Sequence, residues 1–217
     1  MRIETVEYKV YKYNELSAEA KEKVKQWYLE GQEPFIFTEM CEDDLYNLFG
    51  KNDLNGIGIC DLKVQYSLSN CQGDGLNIYG KINPRNILEC LENHNGCSQL
   101  EEFENYLTDK EKATILLYAD YCDDISIPYN TRYCYSLAND ISFAEDWLFD
   151  IEDYEELEKI DFDVINKFEK LVANIFLKLC QDYEKQGYKY FYEISEEDLE
   201  EICDCNMYEF LEDGTVF

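Results

Sequence analysis

The sequence predicts an α+β protein, with an antiparallel-rich sheet and helices packed mainly on one face. Three observations point there. Two stretches alternating apolar with polar residues bracket a glycine turn near residue 73. Other stretches space their apolar residues three and four apart, as amphipathic helices do. A 46% hydrophobic content, with 19 Tyr and 12 Phe, supplies a core despite the high charge. At 217 residues the chain is expected to form a single domain, residues 1–217, with an acidic helical half from about residue 140.

Residues 3–13 alternate, with Ile3, Thr5, Glu7, Lys9 and Tyr11 on one side and Val6, Tyr8, Val10 and Lys12 on the other. They are expected to form the first strand. Ser17 is placed to cap a helix to about residue 30, with Ala20, Val24, Trp27 and Tyr28 in its stripe and Gly31 as the stop. Trp27 therefore reads as core. Thr38 is expected to cap a second helix, with Met40, Leu45, Leu48 and Phe49 inward and Gly50 ending it. Residues 59–68 and 76–82 are the strands around Ser69-Asn70-Cys71-Gln72-Gly73-Asp74-Gly75. Gly73 and Gly75 reach positive φ without steric cost and Asp74 tolerates it, which suits a tight hairpin. A phosphate-cradling loop would use the same glycines, but no Lys follows them and a strand stands where its helix should begin.

Beyond the hairpin, Pro84 opens a short helix to residue 91. Asp109 is expected to cap a helix over 110–121, with Ala113, Leu116 and Leu117 on its apolar face. Residues 129–137 are β-rich and are expected to add another strand. Within them Arg132 is the one base between Lys112 and Lys159; it suits a carboxylate partner, or the grip on an anionic ligand. The clearest helix spans 161–186, with Ile165, Phe168, Val172, Ile175 and Leu179 widened by Val164, Leu171 and Phe176, and Gly187 ends it. Ser195 with Glu196, Glu197 and Asp198 makes a capping-box start for a helix to about residue 205. Residues 208–217 close as a small hairpin or extended tail around Glu212-Asp213-Gly214.

Composition excludes several classes. No apolar run approaches 18 residues and no secretory leader is visible, so neither a membrane partner nor export is expected; the location read from the sequence is cytoplasmic. The ten cysteines are scattered through apolar patterns without a CxxC, as buried hydrophobes in a reducing compartment would be. Cys90, His94 and Cys97 form the nearest thing to a metal signature, a weak candidate that lacks paired spacing and a fourth ligand. No cofactor is expected. Forty-eight acids against 19 bases give a formal charge of −29, which repels nucleic acid and anionic membrane alike.

The acidity is uneven: residues 109–217 hold 29 acids and nine bases, and residues 1–108 hold 19 and ten. Two segments concentrate it. Residues 145–163 carry ten acids and one base, including Glu145, Asp146, Asp150, Glu152, Asp153, Glu155, Glu156 and Glu158. Written as a helix they span ~28 Å, about one net charge per 3 Å, close to the ~3.4 Å spacing along one strand of DNA. Residues 193–213 carry ten acids and no base, including Glu196, Glu197, Asp198, Glu200 and Glu201. These two segments are the candidate partner-binding surface. A solvated acidic face is the plain alternative.

Several segments together resemble a family of small acidic, mostly uncharacterised phage and prophage proteins, sometimes labelled antitoxin-like. They are Asn14-Glu15-Leu16-Ser17-Ala18-Glu19-Ala20-Lys21-Glu22-Lys23 with Trp27-Tyr28, the Gln72-Gly73-Asp74-Gly75 turn, and Thr131-Arg132-Tyr133-Cys134. Glu184-Lys185-Gln186-Gly187-Tyr188 and Tyr208-Glu209-Phe210-Leu211-Glu212-Asp213-Gly214 complete the set. The His-rich element that such relatives often carry near the Arg-Tyr strand is absent here. The resemblance implies a non-enzymatic, anti-CRISPR-like inhibitor of a host protein with a basic nucleic-acid-binding surface, a CRISPR effector or restriction enzyme, whose channel an acidic DNA mimic would occupy. An antitoxin-like or regulatory binding partner is the first alternative. A carboxylate-bound Mg²⁺ hydrolase is the second, with no catalytic residue to assign to it.

Overall fold

Alternation on both sides of the glycine turn produces a hairpin. In the computed structural model, which describes residues 1–4, 6–50, 60–69, 73–93, 100–103, 105–121, 124–129 and 160–217, β1 (Cys60–Ser67) pairs antiparallel with β2 (Gly75–Ile82). The register sets Val64 opposite Ile78, Leu62 opposite Gly80 and Tyr66 opposite Leu76. A third strand, β3 (Ile125–Ile127), pairs with the far edge of β2, so that Ile127 faces Gly80 and Ile125 faces Ile82. Directly opposed residues share a face, and this one is apolar: Leu62, Val64, Leu76, Ile78, Ile82, Ile125 and Ile127 are all buried. Asp61, Lys63, Lys81 and Ser126 lie exposed on the other face.

Asp74 fixes the turn. Its carboxylate accepts from the Ser69 N–H at 2.7 Å and from the Ser67 and Ser69 hydroxyls at 2.9 and 3.3 Å. Gly73 has φ 105, a value side chains resist. Gly80 has φ 126, and a Cβ built there would lie 2.0 Å from the Asp61 carbonyl oxygen; the β1 backbone passes where a side chain would stand.

The helices are α1 (Ala18–Glu30), α2 (Pro34–Phe49), α3 (Pro84–Asn93), α4 (Asp109–Tyr118), α5 (Phe162–Tyr192) and α6 (Glu196–Cys205). Short 3₁₀ turns occupy Tyr13–Glu15 and Glu101–Phe103. The architecture is α+β, with helices packed on the antiparallel sheet. α2 covers β1: Phe37 meets Tyr66 edge-on at 5.2 Å, and Glu42 bonds both Lys63 Nζ (3.2 Å) and the Val64 N–H (3.3 Å). On α5 the stripe is buried as its spacing requires, from Ile165 and Phe168 through Leu171, Val172, Ile175, Phe176 and Leu179 to Cys180 and Tyr183. Cys180 is buried in the same stripe, and Phe176 packs on Phe49 at 5.7 Å. Each such side chain contributes about 1.5–3 kcal/mol by leaving water.

Contacts gather the chain into two compact units, one of residues 1–34 and 186–217 and one of residues 35–185. In the larger, α4 is joined to α5 through Lys167 and Glu111, 2.7 Å apart.

Several expectations are corrected. Residues 3–4 and 6–10 are not a strand; of the described residues within 3–13 only Tyr11 pairs, with Phe210. Alternation alone gives backbone groups no partner. α2 begins at Pro34 rather than after Thr38, because Pro supports a first helical position, and its buried row is Phe37, Cys41, Leu45 and Phe49, leaving Met40 exposed. The cap of α4 is Thr108, whose hydroxyl accepts from the Glu111 N–H while Glu111 reaches back to the Thr108 N–H; Asp109 is the first helical residue. α5 runs through Gly187 to Tyr192, since one interior glycine costs about 1 kcal/mol, too little to break a well-packed helix. Trp27 is 38% exposed, its ring edge-on to Tyr208 at 5.4 Å. The strand expected at 129–137 lies almost entirely outside the described residues, as does Arg132, and β3 precedes it.

Candidate interaction site

The smaller unit places the second acidic segment. Its core joins Tyr13, Leu16, Ala20 and Val24 to Leu199 and Cys203 of α6 and to Phe210. Phe210 is held by two backbone bonds to Tyr11, 2.8 and 3.0 Å, and by a bridge to Val216 that makes the small closing hairpin. Leu199 and Cys203 stand one turn apart, so burying them turns Glu197 and Glu201 outward, also one turn apart.

Ser195 starts α6: its Oγ accepts from the Asp198 N–H at 3.0 Å and donates to the Asp198 carboxylate at 2.6 Å. Three acids in the first turn also suit the positive end of the helix dipole.

Two lysines of α1 neutralise part of the acidity. Lys21 Nζ lies 2.7 Å from Glu196 Oε1 and 5.1 Å from the centre of the Tyr13 ring. Burial, and after it the Glu196 carboxylate, pushes the Tyr13 phenol up to about 12. Lys23 Nζ lies 2.7 Å from Asp213 Oδ2 and 2.9 Å from Thr215 Oγ1, and it holds the Asp213 carboxyl far below the usual range. Beside the Lys21–Glu196 pair is a cleft of about 280 Å³ whose walls include Tyr13, Lys21, Lys25 and Glu196.

The five predicted acids of α6 thus divide. Glu196 is ion-paired and Asp198 serves the cap, while Glu197, Glu200 and Glu201 have no ion pair among the described residues. Glu197 and Glu201 are like-charge neighbours one turn apart, destabilising by a few tenths of a kcal/mol until a cation faces them. Sequence reasoning missed the neutralising lysines. Their signal was the basic run Lys21, Lys23 and Lys25, but the partners of the first two lie 175 and 190 residues away.

Glu145, Asp146, Asp150, Glu152, Asp153, Glu155, Glu156 and Glu158 lie outside the described residues. Of the weak metal candidate, Cys90 is buried in α3, and His94 and Cys97 lie outside the described residues. Among the described residues no cluster of His, Cys, Asp and Glu could hold a metal ion, and no helix is long and apolar enough to cross a membrane. Cys41, Cys90, Cys180 and Cys203 are buried free thiols, as the sequence suggested, and Cys205 is exposed. Burial pushes Cys41 and Cys180 up to about 12 and Cys203 up to about 11, which leaves them weak nucleophiles.

No protein family matches this chain, and neither a curated protein nor a solved structure is similar to it.

Proposed function

We propose that the protein is a phage-encoded, non-enzymatic inhibitor of a host nucleic-acid-targeting defence protein. It would act in the anti-CRISPR manner, by laying carboxylates on the basic surface where nucleic acid binds. The observation that carries this reading is the outward face of α6. Ten residues, about 15 Å of axis, hold six acids, a charge spacing denser than the ~3.4 Å of one DNA strand. Glu197, Glu200 and Glu201 lack ion pairs among the described residues, and the helix is fixed from behind by Leu199 and Cys203. The −29 charge adds long-range attraction for a basic partner. The sequence offers further carboxylates in the acidic run at 145–163.

The test is capture by the purified protein of nuclease or CRISPR effector components from a bacterial host, repeated at rising salt. Capture is expected to weaken as salt screens the contact, and E197K/E201K is expected to weaken it about tenfold or more. Failure to retain any nuclease component, or retention indifferent to both salt and the reversal, would sink the reading.

A further inference from the structure

Residues 2–12 carry a small net positive balance in this acidic chain: Arg2, Lys9 and Lys12 against Glu4 and Glu7. They are also patterned for a ladder that they do not make. Ile3, Val6 and Tyr8 are 82%, 67% and 60% exposed. Among the described residues of this stretch Tyr11 alone is paired across to another strand, through both its N–H and its carbonyl, to Phe210.

That pairing fixes which edge is open. In an antiparallel ladder the peptides of alternate residues point to opposite edges. With Tyr11 turned toward Phe210, continuing the strand would point Val10, Tyr8 and Val6 to the other edge, where no described residue bonds their backbone.

We propose that this edge takes the same segment of a second copy, as an antiparallel, two-fold symmetric pair centred on Tyr8 against Tyr8. Side-chain chemistry selects the register. Centring on Tyr8 sets Val6 against Val10 twice on one face, with Glu4 against Lys12 beyond them, and sets Glu7 against Lys9 twice on the other. Centring on residue 7 would oppose Glu7 to itself, and centring on residue 9 would oppose Lys9 to itself; like charges directly opposite are destabilising. A self-complementary patch is what a two-fold dimer requires. The locally positive balance lets two chains of −29 meet here without opposing their acidic segments.

Sedimentation equilibrium of the full chain over a range of concentrations tests this, with circular dichroism to confirm that each variant keeps its helices. A monomer–dimer equilibrium is expected. Glu7→Lys alone and Lys9→Glu alone each turn two attractive pairs into two repulsive ones and are expected to weaken the dimer about tenfold or more, whereas E7K/K9E restores it. Tyr8→Pro removes the central N–H donor and is expected to abolish it. A chain that stays monomeric throughout would overturn the proposal. So would a dimer that survives Tyr8→Pro, or one that the double reversal fails to rescue.

Discussion

Residues 3–10 and the β1–β2 hairpin carry the same period-two pattern and meet different fates. β1 finds β2 across a seven-residue connection, and the paired strands bury Leu62, Val64, Leu76 and Ile78 beneath helices. Residues 3–10 have no turn to bring a partner back; Ile3 and Val6 stay largely in water, and Tyr8, 60% exposed, meets the Phe217 ring at 5.7 Å. Alternation states which side chains would share a face. It says nothing about what the backbone bonds to, and a strand without a partner leaves one donor and one acceptor per residue to the solvent.

Substitutions make this contrast measurable, and the largest effect belongs to the paired side. Gly80→Ala must place a Cβ 2.0 Å from the Asp61 carbonyl at φ 126. It is expected to cost about 4 kcal/mol in urea-unfolding stability, from backbone strain plus overpacking. Ile78→Ala empties the centre of the buried face, where Ile78 is 1% exposed, and is expected to cost about 3 kcal/mol by the same measurement. Asp74→Ala removes the acceptor for Ser69 N–H and the Ser67 hydroxyl; a loss of about 1–2 kcal/mol is expected.

A smaller, pH-dependent effect sits at α4. The hydrogen bond from Lys167, followed by those from Thr108, holds the Glu111 carboxyl down at about 2. Because the folded value is depressed, its contribution is complete above the ordinary carboxylate range and is lost as pH falls toward 2. Glu111→Gln is expected to flatten that part of an acid-unfolding curve, and an unchanged curve would refute the assignment. The least effect belongs to the unpaired side: Val6→Thr, measured at dilution where the chain is monomeric, is expected to change stability by less than about 0.5 kcal/mol. A larger loss would mean that residues 3–10 are packed after all.

What could be read from the sequence follows from the range of the forces involved. The α5 stripe, the Ser17 and Ser195 caps and the β1–β2 hairpin are local, set by spacings within a few residues, and all appear in the fold. β3 escaped notice because three residues are too short a pattern, and it pairs only through the register of β2. The start of α2 was misplaced because Thr38 offers a capping hydroxyl while Pro34, four residues earlier, offers a fixed φ. At the candidate site the position of Glu196–Glu201 on one short helix was readable. Their division into neutralised and unpaired carboxylates was not, because it depends on Lys21 and Lys23 arriving from the far end of the sequence.

That long reach bears on synthesis. The smaller unit is made of residues 1–34 and 186–217, so 151 intervening residues must leave the ribosome before α6 and Phe210 can cover the apolar side of α1. At roughly 5–20 residues per second the wait lasts about 8–30 s. During it Leu16, Ala20 and Val24 have only water or a chaperone to face, although the elements of residues 35–185 can already find one another. Folding order is thus written into the chain's connectivity: α1, made before residues 35–185, is among the last helices to be buried.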